Sequence, residues 1–253
     1  MNNAHGTGLY MDHTGRLHRL AAHSKLVGTL GFVAAVVATP REQWWSFVAD
    51  GVIVAMVAVL AGLPLGLLAR RLTIELPFIA FALLMPFVGN GPTVRLAGVN
   101  LSQAGLWSAW SIVAKGTLGV AATVVLASTT AVPQLITGFE RLRVPRALTA
   151  IGAFMIRYLD VVTGELQRMR VARESRGDRA RWLWQAKAVG AGAGALFVRS
   201  YERGERVFLA MESRGYTGTL PSVRRGDEPR HWAACLAPAA LASACAIAAW
   251  RFR

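Results

Sequence analysis

Apolar residues are distributed along this chain in two ways. In some stretches they run almost unbroken for a dozen residues or more, and in others they recur every third or fourth position between charges. The first pattern suits helices surrounded by lipid or protein, and the second suits helices with one packed face. Unbroken runs predict membrane helices over Leu26–Thr39, Phe47–Ala69, Leu76–Val88, Leu106–Thr129 and Trp232–Trp250. The first run extends through Trp44 and Trp45, which suit a membrane interface. The second carries Asp50 near its start and Pro64 inside it. The third closes at Gly89-Asn90-Gly91-Pro92, a strong turn signal. The fourth carries a single charge, Lys115.

The spaced pattern lies between the last two runs. Pro133–Leu142 reads as a short amphipathic helix, with Leu135, Ile136, Phe139 and Leu142 on one side and Glu140, Arg141 and Arg143 on the other. Pro145 then suits the first turn of a long helix over Arg146–Arg176. Met155, Leu159, Val162, Leu166 and Met169 recur on it at steps of 4, 3, 4 and 3, forming a narrow seam. Arg157, Asp160, Glu165 and Arg168 lie off that seam. A second long helix follows the interfacial Trp182 and Trp184 and a glycine-rich stretch containing Gly190, Gly192 and Gly194, whose lack of side chains permits close helix approach. Tyr201, Gly204, Phe208 and Met211 share one of its faces, opposite the i,i+4 pair Glu202 and Arg206.

Both long helices end on the same sequence, A-x-E-S-R-G. It occurs at Ala172, Glu174, Ser175, Arg176 and Gly177, and again at Ala210, Glu212, Ser213, Arg214 and Gly215. An arginine in a last helical turn is favoured by the helix dipole, and glycine suits the position where a helix stops. One copy alone is an ordinary capped helix end. Two copies on two similar helices are a matched pair of tips, each with a guanidinium fork, a nearby carboxylate and a helix C-terminus. That chemistry suits a partner groove lined by carboxylates and backbone carbonyls.

Composition sharpens this reading. Of 253 residues 54% are hydrophobic and mean hydropathy is +0.39, which points to an integral membrane protein built from helices. Net charge is +14, and residues 140–230 hold 18 of the 28 Lys/Arg and 10 of the 14 Asp/Glu. A basic block beside membrane helices faces the cytoplasm. Its many acids and the lack of a nucleic-acid motif argue against a nucleic-acid partner. The chain thus divides into a cytoplasmic lead (1–24), four membrane helices (25–131), a cytoplasmic segment with two long helices and a short amphipathic one (132–230), and a last membrane helix (231–253). Five spans fit the charges best, within a range of four to six. The lead has no convincing cleavable signal. Its His5, His13, His18 and His23 fit no single helical face and read as a solvated lead, so no metal site is assigned. Cys235 and Cys245, ten residues apart on one helix, sit about 15 Å apart, too far for a disulfide.

No G-x-x-x-x-G-K-[ST] is present, so any ATP and magnesium must be bound by a partner. The tips, with L-H-R-L-A-A-H-S-K-L (17–26), F-E-R-L-R-V-P (139–145) and M-I-R-Y (155–158), make the chain resemble the transmembrane T component of energy-coupling factor transporters. More narrowly, it resembles the cobalt/nickel-type CbiQ family. The resemblance covers nearly the whole chain. It implies an all-helical, non-catalytic importer subunit in the inner membrane. Its crossed coupling helices would dock two ATPase subunits through their tips, and its membrane helices would work against a separate substrate-specific subunit that binds the metal. The family pattern at the tips is often Ala-Arg-Gly; here serine stands in the alanine position. Two other readings remain at this stage. One is a T component serving vitamin-type substrate subunits, which neighbouring genes would distinguish. The other is a channel or membrane enzyme using Lys115, Asp50, Glu75 and Arg95, which would leave the repeated tips unexplained.

Overall fold

The computed structural model describes residues 20–88, 93–96, 99–177, 186–218 and 232–251. The chain forms α1 (Ala22–Ala38), α2 (Trp44–Leu60), α3 (Leu65–Arg71), a 3-10 turn (Leu72–Glu75) and α4 (Leu76–Val88). A small antiparallel hairpin follows, β1 (Thr93–Leu96) and β2 (Val99–Ser102), with Thr93 opposite Ser102. Then come α5 (Gln103–Thr129), α6 (Val132–Arg141), α7 (Arg146–Ser175), α8 (Ala186–Glu212) and α9 (Trp232–Arg251). Among the described residues the fold is helical apart from that hairpin. Residues 143–223 form one compact unit and the remainder another.

The predicted runs map onto these helices with two differences: Trp44 and Trp45 open α2 instead of extending the first run, and one run is broken. The run 47–69 is split between α2 and α3. Gly62, at φ 73°, leaves the helical region, and Pro64 caps α3 without an N–H to continue the ladder. By length and composition α5, α7 and α9 can each cross a membrane, while α1 and α2 are shorter apolar helices.

In the larger unit Phe32 and Val36 of α1, Phe47 and Val54 of α2, and Leu118 and Val125 of α5 share one core. Contact between α1 and α9 relies on small residues. A Cβ on Gly28 would overlap the Cys235 carbonyl, Gly31 faces the Ala239 Cβ at 3.2 Å, and Ala242 and Ala249 are fully buried. Backbones approach this closely only without bulk between them. Both cysteines are free, and Cys235 Sγ accepts a hydrogen bond from Ser24 Oγ at 3.3 Å. Helices α1 and α5 run antiparallel, and each lends a lysine to the other's last turn. Lys25 Nζ donates to the Thr129 carbonyl at 3.0 Å, and Lys115 Nζ donates to the Val37 carbonyl at 2.7 Å. Trp250 Nε1 donates to the adjacent Ala38 carbonyl at 2.9 Å. These bonds satisfy carbonyls that a helix end leaves without intrahelical partners.

The short amphipathic helix, grouped by the sequence with the long ones, packs on the bundle. Gly138 of α6 lies against Leu26 and the backbone of Ala22 and His23 on α1. The boundary between the units falls after Leu142, at Arg143, which adopts φ 62°.

Candidate functional site

The smaller unit is a two-helix hairpin whose ends carry the repeated motif. At the first end the Gly177 N–H donates to the Glu174 carbonyl at 3.1 Å, with Gly177 at φ 80°. At the second the Gly215 N–H donates to the Glu212 carbonyl at 2.9 Å, with Gly215 at φ 81°. There the Tyr216 N–H also reaches the Met211 carbonyl at 3.0 Å, completing a Schellman cap. The serines repeat each other too. Ser175 Oγ donates to the Ala172 carbonyl at 2.9 Å, and Ser213 Oγ to the Ala210 carbonyl at 3.1 Å. The recurring A-x-E-S-R-G letters therefore encode one local geometry, built twice.

Arg176 and Arg214 are exposed, and neither forms an ion pair among the described residues. Glu174 is not the partner of Arg176. It pairs with Arg170, one turn back, at 2.9 Å. Residues two apart project from different sides of a helix, whereas residues four apart share one. Glu212 is exposed at the second tip.

Helices α7 and α8 run antiparallel. Gly192 lies against Met169, Glu165 reaches Arg199 and Arg203, and Phe154 and Tyr158 share a groove with Val207 and Met211. Met169 lies level with Gly192, and Arg176 and Arg214 continue beyond that level in opposite directions, so the two tips stand on the order of 40 Å apart at opposite ends of the hairpin.

The structure rotates the predicted seam. Met155, Leu159 and Leu166 are 69%, 51% and 53% exposed, whereas Glu165, expected off the seam, is 8% exposed. The packed face of α7 is Phe154, Tyr158, Val162, Glu165 and Met169, so Val162 and Met169 alone carry over from the seam. On α8, Tyr201 faces outward, while Phe208 and Met211 line the groove, which holds about 380 Å³. The rotation follows from charge. Glu165 Oε1 accepts from Arg199 at 3.0 Å and Oε2 from Arg203 at 3.3 Å, and these bonds turn the acid inward. Arg199 first, opposed by desolvation and aided by Arg203, holds the Glu165 carboxyl below its ordinary 4.5. The legible signal was the spacing of Arg199 and Arg203, four apart and so on one face.

Trp182 and Trp184, and His5, His13 and His18, lie outside the described residues. His23 is buried in α1, its ring 5.0 Å from Trp232. No cluster of three or more metal-type ligands occurs among the described residues. Of the membrane charges, Lys115 caps α1 as described above. Glu75 Oε2 accepts from Thr117 Oγ1 at 2.9 Å. Asp50 is fully buried in α2, and neither of its carboxylate oxygens has a hydrogen-bond partner among the described residues. The Arg95 side chain lies outside the described part. These groups do not assemble into a catalytic constellation among the described residues.

Comparison with known proteins adds independent information. The cobalt transport protein family CbiQ matches residues 14–224. The cobalt transport protein CbiQ of Rhodobacter capsulatus is 29% identical over 213 residues, covering 80% of this chain and 81% of that protein. A putative fused cobalt transport protein CbiMQ of Methanocorpusculum labreanum is 26% identical over 212 residues, covering 81% of this chain; the match spans only 35% of that fused protein. The energy-coupling factor transporter transmembrane protein EcfT of Thermotoga maritima is 23% identical over 230 residues, covering 87% of this chain and 84% of its own.

Proposed function

The chain belongs to the CbiQ family of cobalt transport proteins, and from that premise we propose that it is the transmembrane coupling subunit of an energy-coupling factor importer for cobalt or nickel. Two partner ATPase subunits bind ATP and magnesium; this chain binds neither. Arg176 and Arg214 seat the two tips in grooves on those subunits, on the cytoplasmic side of the inner membrane. ATP binding and hydrolysis change the distance between the grooves. The α7–α8 hairpin transmits that change, and the membrane bundle rearranges against a substrate-specific subunit that holds the metal.

One observation carries this reading. The same glycine-locked, arginine-bearing helix end is built at both ends of one antiparallel hairpin. A separation on the order of 40 Å lets one hairpin reach two similar sites on a pair of soluble subunits. The exposed arginines form no ion pair among the described residues that docking would have to break. The uncovered Ile151, Met155, Leu159 and Leu166 on α7, and Phe197 and Tyr201 on α8, leave apolar surface for the substrate-specific subunit.

Losing one partner of a desolvated arginine–carboxylate pair costs about 2–5 kcal/mol. Arg176→Ala combined with Arg214→Ala is therefore expected to abolish co-purification of the ATPases and uptake of radioactive cobalt, while the subunit still reaches the membrane. An assembled complex with normal ATP-dependent uptake would disprove the docking role of the tips.

A further inference from the structure

Ser46, Asp50, Val54 and Ala58 follow one another on α2 at steps of four and are all buried, so they share its packed face. Val54 and Ala58 sit in the core with Leu118 of α5 and Ala242 of α9. Ser46 and Asp50 are as deeply buried, at 0% exposure, yet they are polar. Neither Ser46 Oγ nor either carboxylate oxygen of Asp50 has a hydrogen-bond partner among the described residues.

The helices around Asp50 supply no cation to it. On α5 the one charged residue, Lys115, donates to the Val37 carbonyl. On α9, Cys245 lies within electrostatic reach of Asp50, Cys235 is bonded to Ser24, and Arg251 is exposed. On α3, Arg70 is exposed and Arg71 donates to Ser128. On α1, His23 and Lys25 lie at the helix start, against Trp232 and Thr129. Asp50 forms no ion pair among the described residues. The hydroxyls of Thr39 and Ser243 already donate to carbonyls one turn back.

A carboxylate does not stay ionised in such a place without a cation or a donor; it takes up a proton instead. A hard metal ion such as calcium needs about six to eight oxygen ligands, and the orphaned oxygens here are only those of Asp50 and Ser46. A proton needs a single acceptor and no room. Ser46 stands one turn before Asp50 on the same face, within reach of an acid O–H, so one proton gives both orphaned groups a hydrogen bond. We propose that Asp50 is a proton-binding site inside the bundle, with Ser46 Oγ accepting from the carboxylic acid. The proton comes from water to one Asp50 oxygen as α2 packs on α9, and returns to water when the two helices part. Packing of α2 on α9 thus consumes a proton, and low pH favours the packed state. That import is thereby sensitive to pH rests on the coupling role proposed above; the proton site itself does not.

The test is infrared spectroscopy of the full chain, alone in detergent micelles at neutral pH, where the docking role of the tips has no bearing. The spectrum of the wild type minus that of Asp50→Asn is expected to show the carbonyl stretch of a protonated carboxylic acid. Glu75, also buried, is present in both samples and cancels. Ser46→Ala should shift that band, because the acid O–H loses its acceptor. Thermal unfolding supplies an independent sign. An unfolded aspartate is ionised above about pH 3.9, so the wild type must take up a proton on folding. Asp50→Asn mimics the neutral acid and is spared this, so its midpoint should rise above that of the wild type by a margin that grows from about pH 4 to about pH 7. An ionised Asp50 paired with a bound cation would reverse both results: carboxylate bands alone in the difference spectrum, and an asparagine variant less stable than the wild type at neutral pH. Either outcome overturns the proposal, and a band that Ser46→Ala leaves in place overturns the pairing with Ser46.

Discussion

The Glu165 carboxylate on α7 receives Arg199 of α8 at 3.0 Å, and Arg203, four residues along α8, reaches its other oxygen at 3.3 Å. One acid thus clamps two helices that share little other buried surface. The folded carboxyl titrates below its ordinary value of 4.5. Its stabilising contribution is therefore present above that value and lost as pH falls through the lowered one. The midpoint of thermal unfolding of the full chain should fall with acidification in that window. Glu165→Gln should lower the midpoint at neutral pH and flatten the acid dependence; an unchanged acid profile would show that other carboxylates dominate.

The antiparallel arrangement predicts a distance. With Cys235 and Cys245 replaced by alanine, spin labels at Ser175→Cys and Ser213→Cys should report a separation on the order of 40 Å by pulsed electron resonance. Tips side by side would give a much shorter distance and would contradict the pairing of Met169 with Gly192. Repeating the measurement in the assembled importer with and without ATP would show whether the tips move.

Gly177 and Gly215 sit at φ 80° and 81° with open space around each, so a side chain there meets backbone strain rather than a steric neighbour. Gly215→Ala is expected to cost about 1 kcal/mol at that helix end. Ser213→Ala removes one exposed hydrogen bond and should cost less. The comparison is read from hydrogen exchange of the last turn of α8, and an equal effect of the two changes would assign the stop to the serine.

At the α1–α9 contact, Gly28→Ala places a methyl group against the Cys235 carbonyl. Separating the helices should cost about 1–3 kcal/mol. Gly66→Ala, in open space within α3, should have no such cost. Thermal stability of the two purified variants decides this directly.

Lys25 and Lys115 both cap helix ends, but Lys25 is buried and Lys115 is partly solvated. Lys25→Met should destabilise by about 1–3 kcal/mol, because the buried Thr129 carbonyl and Thr130 hydroxyl lose a charged donor. Lys115→Met should cost less. If Lys115 were instead an ion-pathway group, its loss would abolish transport without changing stability, and uptake measured beside unfolding separates the two.

The sequence by itself determined the helices and the tips. Unbroken apolar runs and local stop signals are properties of neighbouring residues, so α4, α6, α7 and α9 end within a residue or two of where the pattern ends. The A-x-E-S-R-G repeat was legible for the same reason, since its caps close within six residues. Tertiary structure decided which face of each long helix is packed. Apolar spacing placed Met155, Leu159 and Leu166 inward, but a buried carboxylate can be satisfied only where its cations arrive, and these come from a helix 34 and 38 residues away. It also decided that the tips stand at opposite ends of the hairpin and that Lys115 caps α1, 78 residues distant. Spacing along one helix carries no information about the partner that another helix brings to it.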